Sequence, residues 1–211
     1  MRSVHDGEGV CLWLTGMSGA GKTTVTNELV PMLEQRGRVV TVLDVVPELA
    51  KHWAERTSEG KLIRKAYVAR EVARHGGIAI CVTVSARVDV RARAQALVGR
   101  ERFVEVYFDT PRQVSQRRKA SRSKRTPFIK RVRRRARRLR SLGRAGPSYQ
   151  PPESPDVVLN TTATSPHDNA RIILAFLEER GFVALLEHDS SKDAAASGQN
   201  TPSAAAHPSR R

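Results

Sequence analysis

Five short apolar runs alternate with segments of helical period along this 211-residue chain. The runs are Val10–Thr15 (VCLWLT), Val39–Asp44 (VVTVLD), Ile78–Val84 (IAICVTV), Phe103–Asp109 (FVEVYFD) and Asp156–Asn160 (DVVLN), each rich in β-branched residues. Unbroken apolar runs of this length suit strands covered on both faces, as in a parallel sheet. Between them, Val25, Leu29 and Leu33 recur at i, i+4, i+8 before Gly37, and Leu62, Ala66, Ala69 and Ala73 form a second stripe before Gly76 and Gly77. Ser165 and Pro166 read as N-cap and first-turn residue of a last helix, with Ile172, Ile173, Phe176 and Leu177 as its buried face and Gly181 as its stop. The alternation predicts a doubly wound α/β fold, a mainly parallel five-stranded sheet with helices on both faces and ligands at the carboxyl ends of the strands.

Composition narrows the class. With 39% hydrophobic residues, the chain suits one globular domain over residues 9–188, preceded by a polar leader, 1–8, and followed by a Ser-, Ala- and Pro-rich tail, 189–211, expected to be disordered. No apolar stretch approaches the roughly 20 residues of a membrane span. Cys11 and Cys81 each lie inside an apolar run without a partner at metal spacing, and are expected to be buried free thiols in a cytoplasmic protein. The histidines are scattered, which argues against a histidine metal site.

The chemical signal lies directly after the first strand. Gly16-Met17-Ser18-Gly19-Ala20-Gly21-Lys22-Thr23 matches G-x-x-x-x-G-K-[ST] in full, with a strand before it and an amphipathic helix, from Thr23 and Thr24 onward, behind it. Its glycines let successive N–H groups point at phosphate oxygens. Lys22 would reach the β- and γ-phosphates of ATP or GTP, and the Thr23 hydroxyl would ligate Mg²⁺. Asp44 ends the second strand: it is either a helix cap or a carboxylate that orients Mg²⁺ or takes an acceptor's proton.

Leu12-Trp13-Leu14-Thr15-Gly16-Met17-Ser18-Gly19-Ala20-Gly21-Lys22-Thr23-Thr24 resembles the "WLTGLSGSGKST" opening of adenylyl-sulfate kinases. Further similar segments keep their order: Val42-Leu43-Asp44, Ile63-Arg64-Lys65, Val84-Ser85 followed by Arg91, Glu105 to Pro111, and Ser148-Tyr149-Gln150-Pro151-Pro152. The resemblance spans about residues 9–182. It implies transfer of the γ-phosphate of ATP to the 3′-hydroxyl of adenylyl sulfate in sulfate activation, with Mg²⁺. Carried over by position, Gly16 to Thr24 would hold ATP, Thr23 and Asp44 the metal, and Arg64 and Ser85 the acceptor. The departures cluster on the acceptor side: Val46 replaces the second carboxylate of Asp-Gly-Asp, Leu49 an arginine, Glu59 an acceptor-binding arginine, Leu62 an asparagine and Ala86 a proline. Two alternatives therefore stay open, a kinase for a different small hydroxyl compound and an ATP-binding nucleic-acid-binding module.

The second alternative comes from charge. Lys and Arg number 37 against 21 Asp and Glu, a net charge of +16. Fifteen of those bases fall between Arg117 and Arg144, where there is no acid, so the rest of the chain is almost neutral. The run lies where a P-loop kinase carries its lid. It reads as a lid closing arginines over the phosphates, a polyanion contact, or a solvated face. Arg91 could contact phosphate, but a solvated helix arginine is the favoured expectation.

Overall fold

The computed structural model describes residues 8–44, 58–124 and 148–184. The polar leader up to residue 7, the expected tail, Val46, Leu49 and most of the basic run lie outside the described residues.

Five strands, β1 (Val10–Thr15), β2 (Val40–Leu43), β3 (Ile78–Val82), β4 (Phe103–Asp109) and β5 (Val157–Asn160), form one sheet. It is parallel throughout, in the order β2-β3-β1-β4-β5. The helices are α1 (Lys22–Gln35), α2 (Ser58–Arg74), α3 (Val88–Val98), α4 (Arg112–Lys124) and α5 (Pro166–Glu179). The three inner strands read as unbroken or nearly unbroken apolar runs because helices cover both their faces. The edge strand β5 alternates buried and exposed residues, with Val158 open to solvent.

Strand alternation divides the core into two layers. Leu12 and Leu14 of β1, Val104, Val106 and Phe108 of β4 and Leu159 of β5 pack with Val25, Leu29 and Leu33 of α1 and Ile173, Leu174 and Leu177 of α5. Cys11 and Trp13 turn to the opposite face, with Ala66 and Ala69 of α2, Ala94 and Val98 of α3 and Phe103 of β4. The small residues of α2 let it approach the sheet closely. Both cysteines are free and buried, as expected, with sulfurs 3.9 Å apart.

Three helices end in the same way. After α1, the N–H of Gly37 bonds the carbonyl of Glu34 and that of Arg38 the carbonyl of Leu33, and α2 and α5 repeat the pair of bonds at Gly76–Gly77 and Gly181–Phe182. Gly37, Gly76 and Gly181 sit at φ of 71°, 79° and 75°, the left-handed conformation this cap requires. The start of α5 is also as the sequence predicts: the Ser165 hydroxyl accepts from the Asp168 N–H at 3.1 Å, and Pro166 occupies the first turn.

The structure corrects two details. Ile172 is 44% exposed, and the buried stripe of α5 is Ala170, Ile173, Leu174 and Leu177, the i, i+3, i+4, i+7 face set by a start at Pro166. Strand β3 stops at Val82 rather than Val84, and Ser85, three residues on, takes a φ of 32° that no extended strand allows. The chain therefore turns off the sheet at the carboxyl edge, where open α/β sheets bind ligands.

Candidate active site

The loop between β1 and α1 occupies the centre of that edge. Gly16, Gly19 and Gly21 have φ of 145°, 97° and 103°. Gly19 is required on two counts, since a Cβ there would lie 2.2 Å from the carbonyl oxygen of Ser115 on α4. No side chain caps α1 and no acid lies in its first turn, so its positive end is left for an anion. Lys22 is 7% exposed, and its Nζ donates to the carbonyls of Gly16 at 2.7 Å and Met17 at 3.0 Å, which poises the ammonium inside its own loop. Ser18, Thr23 and Thr24 are exposed, so both threonine hydroxyls of the first turn are accessible.

A brace of hydroxyls holds the loop from behind. Thr110 and Thr161 both donate to the Ala20 carbonyl, at 3.2 and 2.9 Å, and contact each other at 2.8 Å. Arg118, within the basic run, forks onto Thr161, with Nη1 to Oγ1 at 2.9 Å and Nη2 to the carbonyl at 2.8 Å. A cavity of about 230 Å³ opens between them, lined by Gly21, Thr24, Arg118, Thr161, Thr164 and Asn169 among others. Asn169 is fully buried and donates Nδ2 to the carbonyls of Thr164 and Ser165.

Across the sheet the chemistry changes. Asp44 stands at the end of β2, two strands from β1, which is roughly 10 Å in the plane of the sheet at about 4.8 Å per strand. The partly buried Lys65 of α2 donates to the backbone carbonyls of Asp44 at 2.8 Å and Val82 at 3.1 Å, tying together the ends of β2 and β3. Burial lowers the Lys65 pKa, while Cys81 and Asp44 pull the other way. Arg64 is half-buried on α2. Glu59, at the start of α2, is matched by Arg93 of α3 at 2.5 Å and lies 3.7 Å from Arg87, which precedes α3 and forks onto Asp89 at 2.9 and 2.5 Å.

Ser85 does not present its hydroxyl to solvent. It is 3% exposed, and its Oγ lies 3.2 Å from Trp13 Nε1, 2.8 Å from Thr15 Oγ1 and 2.9 Å from Thr83 Oγ1. The expectation of a solvated Arg91 is overturned: it is 3% exposed, donates to Ser85 O and Gln150 O, and pairs with Glu105 at 2.8 Å. Burial raises the Glu105 pKa and the Arg91 charge opposes that rise. Tyr149 bonds Thr15 at 3.1 Å, and burial pushes its phenol up to about 12. Among the described residues no group of three or more His, Cys, Asp or Glu could hold a metal ion, and no helix is long and apolar enough to cross a membrane.

Comparison with known proteins decides the family. The adenylylsulphate kinase family model matches residues 8–160. The chain belongs to the adenylylsulphate kinase family. A probable adenylyl-sulfate kinase of Pyrococcus abyssi is 31% identical over 186 residues, covering 83% of this chain and 99% of that protein. The adenylyl-sulfate kinase of Halothermothrix orenii is 29% identical over 185 residues, covering 85% and 95%. The fold agrees: the Mycobacterium tuberculosis kinase CysC, solved in complex with AMPPNP and APS, is similar with a TM-score of 0.65 at 27% identity, covering 82% of this chain and 99% of that one. The fold is that of the family's P-loop kinases.

Within that family frame, sequence reasoning placed the phosphate loop, Asp44 and Ser85 at the carboxyl edge. It missed the work of Lys65, Arg91, Arg118, Thr161 and Asn169. Tyr149 and Gln150, like Lys65 and Arg91, carried a signal as parts of family-like segments, whereas a lone threonine after a strand carries none.

Proposed function

We propose that the chain is an ATP-dependent kinase that transfers the γ-phosphate of ATP to the 3′-hydroxyl of adenylyl sulfate. The observation that carries this reading is the glycine-shaped loop with Lys22 poised inside it, in a chain of this family. The triphosphate lies along Gly16 to Thr24, over the uncapped end of α1, with Lys22 exchanging its two carbonyls for phosphate oxygens. The base enters the cavity between Arg118, Thr161 and Asn169, where the planar guanidinium can cover its face.

The donor set also fits Mg²⁺, a hard cation that takes oxygen ligands: the exposed Thr23 hydroxyl and the Asp44 carboxylate would hold it, the latter directly or through water. When bound, the ion neutralises charge on the phosphate oxygens. The acceptor hydroxyl attacks the γ-phosphorus and releases its proton to water, the bond to the β-phosphate oxygen breaks and ADP leaves. Lys22 stabilises the charge that develops on the way. Arg64, on α2, faces the acceptor.

Incubation with ATP, Mg²⁺ and adenylyl sulfate should give ADP and the 3′-phosphorylated product. ATP binding without that product would remove adenylyl sulfate as acceptor. Asp44→Asn should lower kcat on the order of 100-fold, with ATP affinity changed by less than about threefold; an unchanged kcat would take Asp44 out of the mechanism. A second reading, a kinase for a different small hydroxyl compound, is favoured by Glu59. Its carboxylate occupies Arg93, a cation that an anionic acceptor would otherwise use, while Arg87 is already held by Asp89.

A further inference from the structure

Two segments that are remote in sequence meet beside the carboxyl ends of β1 and β3. The Gln150 N–H donates to the Ala86 carbonyl at 2.8 Å, and the Val88 N–H donates to Gln150 Oε1 at 3.0 Å. Arg91 closes the junction from α3: Nη1 donates to the Ser85 carbonyl at 2.7 Å, Nη2 to the Gln150 carbonyl at 2.9 Å, and Nε faces Glu105 of β4 at 2.8 Å. Its guanidinium also lies 5.9 Å from the centre of the Tyr149 ring, which stacks on Tyr107 and bonds Thr15 at the end of the phosphate-loop strand. One planar fork thus serves three segments of chain at once, which a lysine ammonium cannot reproduce.

We infer that Arg91 is a positioning residue for the acceptor. It joins 83–88 to 148–150 as one wall of the site and holds Ser85 in its left-handed backbone conformation, so that it sets acceptor affinity without touching ATP. This inference rests on the kinase reading above. Two observations separate it from ordinary core packing. The junction sits at the ligand-binding edge of the sheet rather than between core layers. It contains the only non-glycine residue with positive φ among the described residues, and such strain persists where surrounding bonds over-determine it.

The test compares the wild type with Arg91→Lys, Arg91→Met and Gln150→Ala by steady-state kinetics with ATP and adenylyl sulfate, and by amide hydrogen exchange. Arg91→Met should raise KM for adenylyl sulfate at least about tenfold while KM for ATP stays within about twofold. Gln150→Ala should give a several-fold rise, and Arg91→Lys should rescue only in part. The amides of Gln150 and Val88 should exchange at least about tenfold faster in Arg91→Met, with those of α1 and α5 unchanged. Equal changes in both KM values, or faster exchange throughout α1 and α5, would overturn the inference by showing a general loss of stability. If the wild type forms no 3′-phosphorylated product, the acceptor reading fails separately. The exchange result then decides the clamp, and unchanged protection at Gln150 and Val88 would refute it. Should Arg91→Met not fold, Arg91→Lys and Gln150→Ala carry the same comparison.

Discussion

The two halves of the site are built from different materials. On the nucleotide side the cations rest on neutral oxygens: Lys22 on the carbonyls of Gly16 and Met17, Arg118 on the hydroxyl and carbonyl of Thr161. On the acceptor side they are matched to carboxylates, Arg91 to Glu105, Arg93 to Glu59 and Arg87 to Asp89, with Lys65 on two carbonyls as the exception. A phosphate displaces a neutral carbonyl from an ammonium easily, because it sets a full opposite charge where the carbonyl offers only a dipole. Displacing a carboxylate gains little. The nucleotide half is thus poised to exchange its internal bonds for a polyanionic ligand, while the acceptor half has spent its charge on shape.

That contrast can be attacked from its strongest point downward. Lys22→Ala removes the poised cation and should lower phosphoryl transfer at least about 10³-fold, the upper range for losing one preorganised stabiliser; transfer at the wild-type rate would eliminate this site. Arg118→Ala should weaken ATP binding about tenfold and leave KM for adenylyl sulfate within about twofold, as a planar contact on the base alone requires. Glu59→Gln releases Arg93, while Arg87 stays on Asp89, and should improve KM for adenylyl sulfate by about two- to threefold, with stability changed by no more than about 1 kcal/mol for so exposed a pair. A worse KM would show that the pair shapes the acceptor wall instead of competing for its charge.

The smallest effect is one of pH. The folded state holds the Tyr149 phenol at about 12, above its ordinary value of 10.0, so the native protein keeps that proton longer than the unfolded chain. Its contribution to stability is whole below about 10 and is lost as the pH rises from there through about 12. Thermal melts of the wild type should therefore fall in that window more steeply than those of Tyr149→Phe. Parallel curves would place the phenol elsewhere.

What the sequence shows of this molecule follows from how local its causes are. The strands and the phosphate loop are legible because unbroken apolar runs and three spaced glycines specify backbone conformation residue by residue. The fifth helix is legible in kind but not in phase: Ile172 is as apolar as Ile173, and the start at Pro166 decides which one faces the sheet. Arg91 shows the limit most clearly. Little nearby marks it as buried, since only the Ser85 carbonyl is close in sequence, while its carboxylate lies at Glu105 and its second carbonyl at Gln150, 59 positions away. Ser85 is legible as a site residue only through its family-like context, and the structure turns its hydroxyl inward.

The most direct measurement follows the label from γ-labelled ATP in the presence of adenylyl sulfate, with a 3′-deoxy analogue as control. The account predicts label on the 3′-oxygen of adenylyl sulfate in step with ADP formation, and none on the analogue. Label that stays in ATP or appears only as free phosphate, while ATP binds normally, would contradict it.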